Sequence, residues 1–150
     1  MASLAKRLKK EYLFGKLHGL SLLETYFKKC VEDNLILSRD DIIASANAII
    51  EMAEDDLEYC KSEYEELREK DPVLARDACS EYAFNLGIKK VMHEFKKRFQ
   101  EYERENLAPF ELDRILEVAL TVVEECMFFH ELEYEEILEG ERKRCKKIVQ

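Results

Sequence analysis

Between Ile43 and Leu67 the apolar residues recur at strictly alternating steps of three and four: Ile43, Ala46, Ile50, Ala53, Leu57, Cys60, Tyr64 and Leu67. Such steps keep every member on one stripe of an α-helix, the seam along which helices pack at a shallow angle. A half-buried strand would need alternation at every second residue instead. The segment therefore commits the chain to long helices lying side by side, as a coiled coil or an antiparallel bundle.

Composition agrees. With 4 glycines and 2 prolines in 150 residues, turn-formers are too few for an all-β fold, and Glu, Lys, Leu and Ala supply strong helix formers. The length suits one domain spanning 1–150. Asn and Gln are scarce beside 38% charged residues, a pattern of thermophilic proteins that the five cysteines run against. Cys30, Cys60, Cys79, Cys126 and Cys145 are odd in number and widely spaced, without a C-x-x-C pair. That spacing encodes neither a disulfide framework nor a zinc ribbon, and points to a reducing, cytoplasmic compartment. The sequence carries no signal-peptide pattern, and the longest apolar stretch, Phe110 to Phe129, is interrupted by six charges. No membrane span is expected.

Three breaks divide the chain. Ser38 with Asp41 is a helix cap, and Asp71 followed by Pro72 is a sharper one, with proline at the first helical position. Pro109 is expected to play the same part. The helical segments are then 39–70, 72–105 and 109–147. Before them, Gly15 and Gly19 permit two readings: one kinked helix from about 3 to 34, or a helix ending near Phe14, a turn, and a second helix from Ser21. Two glycines cost a helix ~2 kcal/mol relative to alanine, which favours the split. The same pair also suits the close approach of another helix, the second choice. The expected fold is all-α: an antiparallel up-down bundle of four long helices, or five if the N-terminal segment divides near Gly15–Gly19.

The net charge of −9 is uneven. Ten acids lie between Glu51 and Asp71 against three bases, and eight acids lie between Glu124 and Glu141 against none. Bases gather at Lys6, Arg7, Lys9, Lys10 and Lys16; at Lys89, Lys90, Lys96, Lys97 and Arg98; and at Arg142, Lys143, Arg144, Lys146 and Lys147. In an up-down bundle the first cluster would lie beside the ends of the second and fourth helices, between the two acidic stretches. The other two clusters are candidate contacts for nucleic acid or an acidic partner. Their plainer readings are a solvated flank around Phe95 and Phe99, and cations favoured at a helix C-terminus.

Candidate chemistry is sparse. Dinuclear metal bundles need paired Glu-x-x-His motifs, but Gly15, Lys90 and Met127 stand three residues before His18, His93 and His130. Glu51-x-x-Glu54 with Asp55 resembles the helix-borne carboxylates with which all-α nucleotide pyrophosphatases hold Mg²⁺. That reading requires a facing acidic set, such as Glu124, Glu125, Glu131 and Glu135. Cys126 and His130 lie four apart on one helical face and are candidate metal ligands, with His93 or Cys79 as help from another helix. A buried thiol and a hydrogen-bonded core histidine are the alternative. No phosphate-cradling loop, nucleophile elbow or H-E-x-x-H is present, and no cofactor is implied. The leading expectation is a small bundle acting as a protein–protein interaction or scaffold subunit that associates with a partner or with itself, rather than an enzyme. An accessory subunit of a nucleoprotein assembly is the second expectation. A metal- or nucleotide-dependent enzyme is the third.

Overall fold

The computed structural model describes residues 3–107 and 111–149, with side chains through Cys145. Four long helices account for nearly all of it: α1 (Leu4–Glu32), α2 (Arg39–Leu67), α3 (Pro72–Asn106) and α4 (Ile115–Val149), with one 3₁₀ turn at Leu112–Arg114. Among the described residues there is no strand. Among the described residues no helix is long and apolar enough to cross a membrane.

The caps are built as the sequence implies. Ser38 N–H donates to Asp41 Oδ2 at 2.9 Å and Asp41 N–H donates to Ser38 Oγ at 3.2 Å, a reciprocal capping box. Asp71 Oδ1 accepts from Leu74 N–H at 3.2 Å, with Pro72 opening α3. Helix α1 stops because Asn34 turns left-handed, at φ 55°. There Asn34 N–H donates to Val31 O and Leu35 N–H to Cys30 O, the paired bonds of a Schellman closure. Pro109 lies outside the described residues, and from residue 111 onward α-helix begins at Ile115, behind the 3₁₀ turn. Tight turns of that kind commonly lead into α-helices.

The expected division of the N-terminal segment does not occur: α1 runs unbroken through Gly15 and Gly19. The reason is the close approach that was the second choice. Helices α1 and α3 run parallel, with Arg7 level with Asp77 and Phe27 level with Phe95, and they cross backbone to backbone. A Cβ on Gly15 would overlap the carbonyl of Phe84, and a Cβ on Gly87 would overlap the carbonyl of Tyr12. Each glycine thus removes the atom that would hold the helices apart, and the packing gained offsets the propensity lost.

Around this central pair the other helices take outer positions, antiparallel to it. Helix α2 lies along α3, through Glu54 with Lys89 and Arg39 with Glu103. Helix α4 lies mainly along α1, through Lys10 with Glu141 and Phe14 with Tyr134. Helices α2 and α4 barely touch, and α1 and α2 have few close backbone approaches. The core holds Phe27, Phe95, Phe99, Leu20, Leu23 and Met92, all at or near zero exposure. The seam of α2 is buried from Ala46 to Cys60. At its ends Ile42 replaces Ile43 in the core, and Tyr64 reaches the surface. Helix α4 spends its apolar coverage unevenly: Val122, Val123 and Cys126 are buried, whereas Phe128 and Phe129 are exposed.

Candidate binding surfaces

Cys126 and His130 share a buried face of α4, as their spacing requires. The Cys126 thiol is pushed up to about 11, first by burial and then by Glu94 and Glu125, with Arg98 opposing. Burial thus favours the neutral thiol, and ligation as thiolate would have to offset that cost. His130 already has partners on both sides: Glu133 Oε1 lies 2.9 Å from Nδ1 and Glu94 Oε2 lies 3.2 Å from Nε2. The arrangement ties α4 to α3, and Arg98 braces it by pairing with Glu94 at 3.4 Å and lying over the Phe129 ring. Cys79 stands far down α3 from Glu94, roughly 20 Å away at the helical rise, and His93 is exposed. Among the described residues no group of three or more His, Cys, Asp and Glu side chains is placed to hold a metal ion.

The carboxylate set is dispersed. Glu51 and Glu54 are exposed on α2, and Glu124, Glu125, Glu131 and Glu135 are exposed on α4, a helix that α2 scarcely meets. Glu54 instead faces Lys89 at 3.9 Å.

The basic clusters have separate fates. On α3, Lys89 is taken up by Glu54, Lys96 Nζ donates to Asn47 Oδ1 at 2.8 Å, and Arg98 is engaged as described. Lys90 and Lys97 remain exposed and form no ion pair among the described residues. Arg142, Lys143 and Arg144 follow Glu141, which pairs with Lys10 at 3.2 Å. Because α1 and α4 are antiparallel, these two arginines and one lysine lie at the end of the bundle where α1 carries Lys6, Arg7 and Lys9. Two basic clusters distant in sequence thus share one corner of the bundle. Arg7 also reaches Asp77 of α3 at 2.9 Å, and no ion pair among the described residues joins this cluster to α2. The expected docking of the basic N-terminus between two acidic stretches is realised toward α4, while its second acidic contact comes from α3.

Two apolar grooves escaped the sequence reading. The first, of about 630 Å³, runs between α1 and α2 and is lined by Leu22, Leu23, Tyr26, Ile49 and Met52. Leu22, Tyr26 and Met52 are 38%, 47% and 61% exposed along it. Its α2 rim continues at helical spacing through the exposed acids Asp40, Glu51 and Asp55. Within it the Tyr26 phenol is raised, chiefly by its contact with the Cys30 thiol and by burial, while Ser45 acts the other way. The second groove, of about 600 Å³, opens where α1, α2 and α3 splay apart below the glycine crossing. Neither leaves a periodic signature, since each is shared among helices whose separation the sequence does not encode. The chain matches no family model, and comparison with curated proteins and with solved structures found no match.

Proposed function

We propose that this protein is a cytosolic interaction subunit whose α1/α2 groove receives an amphipathic, basic helical segment of another protein. The observation that carries the reading is the groove itself: an apolar trough with three exposed large side chains beside a helix bearing ten acids against Arg39 and Lys61. Helix-in-groove recognition needs an apolar floor for anchors at helical spacing and a charged rim to orient the incoming helix. All five cysteines stand as free thiols, which fits a reducing compartment. A synthetic helix with leucine anchors and a lysine-rich flank should bind with micromolar affinity, weakening as salt rises. Met52→Lys should abolish binding while leaving the fold intact. Equal binding by the parent and by Met52→Lys would sink the reading. Light scattering decides whether a second copy of the chain is the partner, since a strict monomer at micromolar concentration removes self-association.

A second reading has its own support in the basic residues that α1 and α4 bring to one end of the bundle, Lys6, Arg142, Lys143 and Arg144. Like charges placed side by side repel, and an anionic polymer is one way to relieve that repulsion. An accessory role on RNA or DNA follows. Gel shifts across a salt series test it, because phosphate contacts lose affinity steeply with salt. Binding that is insensitive to salt, or none, removes it.

A further inference from the structure

We propose that the groove bounded by α1, α2 and α3 binds a single-chain amphipath, an apolar tail with one anionic head, and that Lys9 and Lys61 hold the head. The proposal is independent of the α1/α2 groove. Its volume of about 600 Å³ falls within the roughly 300–1,000 Å³ of small-molecule sites. The walls are Leu8, Ala83 and Leu86 with the rings of Tyr12, Tyr64 and Tyr82. Lys16 Nζ lies 4.9 Å over the Tyr12 ring, adding a further cation beside this wall.

Charge singles the groove out. The chain has 33 acids against 24 bases, yet the groove is lined by two lysines and no carboxylate. A neighbouring, polar groove at the same end shows the ordinary pattern, with Glu11, Asp56, Asp77 and Glu81 along it. Lys9 and Lys61 belong to different helices, and neither forms an ion pair among the described residues. For Lys61 this is notable, because Glu58 and Glu65 stand three before and four after it on α2, at pairing distance along a helix. Two uncommitted cations at the mouth of an apolar trough match a carboxylate or sulfate whose tail leaves water.

The binding is noncovalent. Cys60 lines the groove, but its thiol is pushed up to about 11 by burial, then by Glu81, Glu63 and Asp56. It is protonated and serves as apolar lining. The walls supply few hydrogen-bonding groups besides the tyrosine hydroxyls, which disfavours a nucleotide or a sugar.

Calorimetric titration with monomeric dodecanoate, dodecanol and dodecyltrimethylammonium tests the proposal on the full chain. Dodecanoate should bind one per chain, at least about tenfold tighter than the cationic amphipath. The double variant Lys9→Ala/Lys61→Ala should remove that preference, while Lys9→Arg/Lys61→Arg should keep it. In a Cys145→Ser background, dodecanoate should also slow labelling of Cys79, the half-buried thiol on the groove wall. Equal affinity for the three heads, a preference that survives lysine removal, or binding only to anionic vesicles would each overturn it.

Discussion

Helix α1 meets α3 and α2 in opposite ways. Toward α3 it presents Gly15, which meets the backbone of Phe84, and Gly19, against which the side chains of Val91, Ile88 and Met92 pack. Toward α2 it presents Leu22 and Tyr26, and the helices stay apart around an open apolar trough. One helix thus carries a sealed face and an unsealed face a turn or two apart. The contrast teaches that small residues, rather than apolar content, decide where this bundle closes.

The largest expected effect comes from filling the sealed side. Gly15→Ala and Gly87→Ala should each lower unfolding free energy by about 3 kcal/mol or more, because the added methyl meets a backbone carbonyl that cannot rotate away. Urea unfolding measures it, and a loss below about 1 kcal/mol would mean that the crossing does not organise the fold. Next comes the turn that joins α1 to α2. Ser38→Ala should cost about 1 kcal/mol through loss of the cap. Asp41 sharpens this with pH. Its carboxyl is held below the ordinary range by the Ser38 backbone N–H and then by the Ser38 side chain. Its folded value being lower, the charged form adds stability above the unfolded pKa, and that contribution is lost as pH falls through the folded one. The melting-temperature gap between the parent and Asp41→Asn should therefore close in acid.

Gly140 supplies the control. It sits in α4 with nothing within 4 Å of a would-be Cβ, so Gly140→Ala should stabilise by about 1 kcal/mol from propensity alone. Destabilisation there would show that the cost at Gly15 reflects glycine in general rather than the crossing. The smallest effect belongs to the unsealed side. Met52→Ser should shift stability by less than about 0.5 kcal/mol, since the side chain is already 61% exposed. A larger loss would mean that the trough is closed in solution.

Much of this fold was legible. The alternation from Ile43 to Leu67 implied long side-by-side helices, and Ser38, Asp41, Asp71 and Pro72 marked two helix starts because capping is local chemistry. Gly15 and Gly19 misled for the converse reason. Their propensity cost is local, but the contact that offsets it comes from Phe84 and Val91, which only the fold brings near. The pairings of His130 with Glu94 and of Lys96 with Asn47 were hidden in the same way. The two grooves depend on gaps between helices, and no residue pattern records a gap. Lys61 came closest to a signal, as the one lysine among ten acids on α2.

The interlocked glycines also constrain motion. With the Tyr12 carbonyl against Gly87 and the Phe84 carbonyl against Gly15, neither helix can rotate or slide without driving a neighbouring Cβ into backbone. The central pair behaves as a rigid spine, and any breathing falls to α2 and α4, whose contacts are made by side chains that can change rotamer. Amide hydrogen exchange should follow that division. Protection should be deepest in α1 and α3 around the crossing and shallowest in the last turns of α2, where opening would widen the groove lined by Lys9 and Lys61 without loosening the spine.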